Sequence, residues 1–139
     1  MVSDELSGTL EKIKGKIEEG TLSIDDLEEY LKIFEDICNN NEDIADEIDG
    51  WNRTLAFKVR GVKNFWMKVQ DGKFSYGIGE VADADLTLEM DEHVILGIFS
   101  GEVDATAAYM SEDLKVTGPL ADAIKFRTLT EIVTDEIGL

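Results

Sequence analysis

The chain has little of what builds staples, metal centres or membrane spans. Its 139 residues include one cysteine, one histidine and one proline. A lone Cys38 excludes an internal disulfide and any multi-cysteine metal site, and its neighbours Phe34 and Ile37 on one helical face make it a packing residue. A lone His93 excludes a multi-histidine ligand set, so neither a metal nor a cofactor is expected. No apolar run approaches the roughly 18 residues of a spanning helix, and stable membrane insertion is not expected. The opening MVSDELSG is acidic where a secretion leader is basic and then apolar, which makes the cytoplasm the expected location. Bases are scarce as well: 13 Lys and Arg face 31 Asp and Glu, for a formal charge of −18. Such a chain repels phosphate backbones and anionic headgroups, so nucleic acid is excluded as a partner.

What is present is the composition of a folded domain. Hydrophobic residues make up 43% and charged residues 32%, enough to bury a core without staples. One domain over 1–139 is expected, with a helical N-terminal segment at 1–50 and a sheet-plus-helix core at 51–139. Charge follows that division. Residues 1–50 hold 16 acids and 4 bases, 51–73 hold 1 and 6, and 74–139 hold 14 and 3, so a basic island sits in an acidic chain.

Leu6, Leu10, Ile13 and Ile17 share one face of a helix over 4–19. Ser23 with Asp26 reads as a capping box opening a second helix, whose apolar face is Leu27, Tyr30, Leu31, Phe34, Ile37 and Cys38. Asn39-Asn40-Asn41 ends it, and Ile44 with Ile48 carries one more short helix to Gly50. From Asn52 the period changes to two. Leu55, Phe57 and Val59 form one apolar strand face. Phe65, Met67 and Val69 form the next, and Asp71-Gly72 turns the chain into Phe74, Tyr76 and Ile78. Leu86, Leu88 and Met90 follow as a fourth strand.

Asp91 caps a helix carrying Val94, Ile95, Ile98 and Phe99, Asp104 starts a shorter one, and Leu114 with Val116 forms a last strand. Pro119 opens the final helix at its first position. Two apolar lines run along that helix, Leu120 with Ile124 and Phe126 through Leu129, Val133 and Ile137, so it is either bent near Thr128 or buried on a broad face. The expected fold class is α+β: about five strands in a largely antiparallel sheet, helices covering one face, and extra helices in front.

Chemistry-bearing patterns are sparse. Gly77-Ile78-Gly79-Glu80-Val81-Ala82 has dinucleotide-fingerprint spacing, but the strand-like ADLTLEM follows it where a helix N-terminus is required. An EF-hand loop read from Asp83 needs glycine at Leu88 and glutamate at Val94, and both fail. His93 lacks a nucleophile elbow, so the chain is not expected to be an enzyme. The cations Arg53, Lys58, Arg60, Lys63, Lys68 and Lys73 line the first hairpin. They relieve repulsion and blunt strand edges, or they form a docking surface for an acidic partner or for lipid phosphates during transfer.

The order WMKVQDGKFSYG, ADADLTLEM, VILGIFSG, ATAAYM, LKVTG and PLADAIKF, from about Phe65 to Leu129, resembles the sterol carrier protein 2 family. The resemblance implies non-enzymatic carriage of a fatty acyl chain, sterol-like molecule or other lipid in an apolar tunnel between sheet and helices. Carried over by position, the lining implied is Met67, Phe74, Tyr76, Leu86, Leu88 and Met90 from the sheet, Ile95, Ile98, Phe99, Tyr109 and Met110 from the helices, and Leu120 with Ile124 from the lid. The first fifty residues exceed the family's minimal domain and stand either to shield the sheet or to occupy the cavity. The charge favours a lipid store or a donor to a protein partner over docking on anionic membranes. The alternative is a protein-interaction module with a filled core, docking through the hairpin at 53–73 or the N-terminal helices. Oligomeric state is left open.

Overall fold

The computed structural model describes residues 3–139; Met1 and Val2, which open the acidic start, lie outside the described residues. Three α-helices precede the sheet: α1 (Ser7–Glu19), α2 (Leu27–Asn40) and α3 (Glu42–Glu47). Strands β1 (Arg53–Arg60), β2 (Phe65–Gln70), β3 (Lys73–Ile78) and β4 (Leu86–Asp91) follow, then α4 (Glu92–Ser100), α5 (Ala105–Met110), β5 (Leu114–Thr117) and α6 (Leu120–Ile137).

The sheet order is β3-β2-β1-β4-β5. The first three strands form an antiparallel meander, and Asp71 and Gly72, both at positive φ, make the tight turn between β2 and β3. Strand β4 returns parallel to β1, and β5 pairs antiparallel with β4. The sheet is thus antiparallel apart from the β1–β4 pair, in agreement with the α+β reading.

Alternation along the strands sorts the two faces. Leu55, Phe57, Val59, Phe65, Met67, Val69, Leu86, Leu88 and Met90 are buried beneath helices, while Lys58, Arg60 and Lys68 face solvent. The N-terminal helices enter this core. Tyr30 of α2 stacks on Phe99 of α4 at a centroid distance of 4.4 Å, and its hydroxyl donates to the Phe99 carbonyl at 2.7 Å. Phe34 packs against Phe74 of β3 at 5.3 Å. Cys38 is buried there too, and desolvation raises its thiol pKa, leaving it a packing residue.

Local signals differ from expectation in four places. The Ser23–Asp26 capping box is formed, but it opens a 3-10 turn at Ile24–Asp26 that runs on into α2. Helix α3 ends at Glu47, three residues before Gly50, because the chain must turn to enter β1. Asp91 occupies the N-cap of α4 without capping it; its carboxylate accepts from Arg60 Nε at 2.8 Å, a charge-assisted bond that outcompetes the cap. Pro119 precedes α6 as its N-cap, with an extended ψ of 124°, so Leu120 is the first helical residue.

Helix α6 settles the question of its two apolar lines in an unforeseen way. It is one continuous helix, and only the Phe126, Leu129, Val133 and Ile137 line is buried; Leu120 and Ile124 are 47% and 52% exposed.

Candidate functional site

Six large hydrophobic side chains stand exposed among the described residues, and four of them, Tyr109, Met110, Leu120 and Ile124, surround one concavity. Exposure concentrated in this way marks a surface kept free of the protein's own side chains. The pocket has a volume of about 380 Å³ and lies between α5, α6 and the β4–β5 edge of the sheet.

Each wall follows from local sequence. Leu88 of β4 and Leu114 and Val116 of β5 form the floor, alternate residues of adjoining strands pointing the same way. Ala105 and Ala108 are buried, and their small side chains let α5 lie close to β5, while Tyr109 and Met110 project at the rim. Helix α6 closes the other side with Leu120, Ala123, Ile124, Phe126 and Arg127. The β5–α6 connection passes the start of β4 at Gly118, whose φ is +124°. A Cβ added there would lie 2.6 Å from the Asp85 carbonyl oxygen, which leaves no room for a side chain.

Polar groups are confined to the mouth: Thr106, the Tyr109 phenol and Arg127. Arg127 Nε donates to Asp104 Oδ1 at 2.7 Å, and its Nη2 lies 3.2 Å from Glu131 Oε1. Asp104 also accepts from the Ala107 N–H at 3.1 Å, so one carboxylate caps α5 and ties it to α6. Hydrogen bonding to Arg127 holds the Asp104 carboxyl below the usual carboxylate range, and the Asp104 bond raises the Arg127 guanidinium. Beneath the opposite end of the wall, buried Asp122 accepts from Trp51 Nε1 at 2.9 Å and from Arg53 Nε at 2.8 Å, anchoring the first turn of α6 to the start of β1.

A match to a family model described as the SCP-2 sterol transfer family covers residues 34–131. The chain belongs to that family. The matched span runs from α2 into α6 and contains every residue of the pocket wall. The chain is 27% identical over 117 residues to hydroxysteroid dehydrogenase-like protein 2 of Xenopus tropicalis, covering 83% of this chain and 27% of that protein. Among solved structures it resembles sterol carrier protein domain 2 of Helicoverpa armigera, at a TM-score of 0.63 and 20% identity over 76% of this chain and 86% of that one. The sec-alkylsulfatase Pisa1 of a Pseudomonas species matches at a TM-score of 0.60 and 19% identity, over 79% of this chain and 16% of the sulfatase. The chain therefore spans only about a quarter of the curated relative and a sixth of the sulfatase, and shares its fold with a part of the latter.

Within this SCP2 fold the carried-over residues do not all meet at one place. Leu88, Tyr109, Met110, Leu120 and Ile124 come together around the pocket. Met67, Phe74, Leu86, Met90, Ile95, Ile98 and Phe99 lie in the filled core, where Phe34 and Tyr30 occupy the space beside Phe99, and Tyr76 is half-buried at β3. Ile98 also borders a shallow groove beside Thr130. Residues outside the carried-over set complete the wall: Ala105, Thr106, Leu114, Val116, Ala123, Phe126 and Arg127. Ala123 and Arg127 continue the Leu120–Ile124 line at helical spacing, a signal present in the sequence.

Other concavities have a different chemistry. A larger one, about 480 Å³, lies between Ile24–Glu28 and the β1–β2 turn, but Asp25, Glu28 and Lys63 border it, so it offers an apolar ligand less contact. His93 lies on an exposed position of α4 beside a surface groove with Ser100, whose hydroxyl donates to the Gly97 carbonyl. Among the described residues no three His, Cys, Asp or Glu side chains are grouped to hold a metal ion, and no helix is long and apolar enough to cross a membrane. The basic island is largely offset in place: Arg60 pairs with Asp91, Arg53 with Asp122 and Lys63 approaches Glu28, while Lys58 lies in register with Glu89.

Proposed function

We propose that this domain binds and carries a hydrophobic molecule, a fatty acyl chain, a sterol-like molecule or another lipid, in the pocket between α5, α6 and the β4–β5 edge, without catalysing a reaction. The observation that carries the reading is the concentration of exposed apolar side chains around one concavity of a chain in the SCP-2 sterol transfer family. A volume of 380 Å³ sits at the small end of the about 300–1,000 Å³ typical of ligand sites. Burial alone supplies affinity there, because each methylene withdrawn from water contributes about 0.8 kcal/mol.

The site residues proposed are those that meet at the pocket, Leu88, Tyr109, Met110, Leu120 and Ile124, joined by Leu114, Val116, Ala123 and Phe126. Helices α1 to α3 and the sheet are proposed to act as one unit with this pocket, the N-terminal segment filling the space between α4 and the inner strands that a deeper tunnel would use. A formal charge of −18 suits a store or a donor to a protein acceptor better than direct docking on an anionic bilayer. Native mass spectrometry of the purified protein, joined to displacement of a fluorescent fatty acid, tests the proposal. Retained lipid or saturable displacement supports it, and the loss of both overturns it.

A further inference from the structure

We infer that the pocket selects lipids whose polar end carries no negative charge, long-chain alcohols or neutral esters in preference to fatty-acid anions, because the only charged group on its wall already stands between two protein carboxylates. The inference rests on the lipid-pocket reading and names the ligand class of that site.

Arg127 is the one cation of the wall and the natural partner for a carboxylate. Two of its five N–H donors are paired with protein carboxylates, however. Nε is held by Asp104 at 2.7 Å and Nη2 by Glu131 at 3.2 Å, so one positive and two negative groups stand together at the mouth, with a formal charge of −1. A ligand carboxylate entering beside them displaces a protein carboxylate or joins two others around one guanidinium. The like-charge cost is set by groups within one or two contact distances.

Neighbouring cations do not relieve it. Lys125, two positions before Arg127 on α6, is engaged with Glu47 at 3.3 Å, and Arg60 is engaged with Asp91 at 2.8 Å. Lys115 of β5 is exposed and lies in register with Glu89, at a strand position alternate to the floor residues Leu114 and Val116. What remains at the rim is neutral: the Thr106 hydroxyl and the Tyr109 phenol, each able to donate to or accept from a hydroxyl or ester oxygen. An apolar chain ending in an uncharged oxygen is the ligand whose two ends both find a match.

Displacement of a neutral naphthylamine dye by 1-dodecanol and by dodecanoate, equal chains differing only in the end group, tests this at neutral pH. Dodecanol is expected to displace at about tenfold lower concentration, and the gap is expected to close in 1 M salt, where the screening length falls to about 3 Å. In the Asp104→Asn, Glu131→Gln double variant, Arg127 is freed while Asn retains the α5 cap, and dodecanoate should gain on dodecanol. The salt arm uses the unaltered protein and needs no variant to fold. Dodecanoate equal to or better than dodecanol in the unaltered protein overturns the charge selection and leaves the pocket standing. If neither ligand displaces the dye, the pocket reading itself fails and this inference falls with it.

Discussion

Trp51 Nε1 donates to Asp122 Oδ1 at 2.9 Å, joining a residue just ahead of the sheet to the first turn of α6 across 71 positions of sequence. Arg53 Nε reaches the other carboxylate oxygen at 2.8 Å, so Asp122, 5% exposed, is fully engaged. This contact fixes where the pocket-bearing half of α6 sits on the strands.

Replacing Asp122 with Ala should therefore cost about 2 kcal/mol, the loss of two charge-assisted bonds, discounted because Arg53 can turn to water. Urea denaturation measures it. A loss below about 0.5 kcal/mol would show that the contact contributes nothing beyond an ordinary surface position.

Gly118→Ala tests the β5–α6 corner. With φ at +124° and the Asp85 carbonyl in the path of a Cβ, the substitution should destabilise by about 1–3 kcal/mol, read as a lowered thermal midpoint. An unchanged midpoint would mean that the corner can relax at no cost.

Core and pocket positions should separate cleanly. Met67→Ala, in the filled interior at 1% exposure, should cost about 2–5 kcal/mol of stability. Ile124→Glu, at an exposed position of α6, should change stability by no more than about 0.5 kcal/mol while weakening capture of an apolar ligand. Equal stability losses at both sites would contradict the assignment of Ile124 to an open wall.

Glu35 on α2 carries a pH signature. Desolvation, with Asp36 adding repulsion, raises its pKa against the stabilising Tyr76 N–H. A carboxyl with a raised folded pKa loses stability as pH climbs from the unfolded value of about 4.3 through the folded one; the penalty is absent below the first and complete above the second. Glu35→Gln should therefore stabilise the protein at pH 7 and have no effect near pH 4. Asp104, held low by Arg127, behaves oppositely: its contribution is present above the unfolded value and is lost as pH falls through the folded one. A Glu35→Gln effect that is constant from pH 4 to 7 would exclude ionisation as its source.

Much of this architecture is legible along the chain. The switch from 3.6 to 2 at Asn52, the Asp71-Gly72 turn and the alternation of Leu86, Leu88 and Met90 announce the strands, because one buried face imposes its period on the sequence. The parallel return of β4 beside β1 is not announced, since pairing partners leave no local mark.

The pocket is harder to read. Periodicity marks Met67, Phe99 and Ile124 alike as apolar, and it cannot tell a residue covered by Tyr30 and Phe34 from one left bare. What distinguishes the two lines of α6 is whether another element packs against each of them, a property of tertiary structure alone. The helical spacing shows where Arg127 lies on α6, but its pairing is hidden, because it depends on Asp104 lying 23 residues away in sequence and 2.7 Å away in space.

The proposed entry of an apolar ligand between α5, α6 and the β4–β5 edge can be observed site by site. Methyl-resolved NMR during titration with 1-dodecanol tests it most directly. Saturable shifts are expected at Leu88, Leu114, Val116, Leu120 and Ile124, with Leu31, Ile33 and Ile95 of the packed interior unmoved. No saturable shift at the first set, or shifts confined to the second, would contradict it.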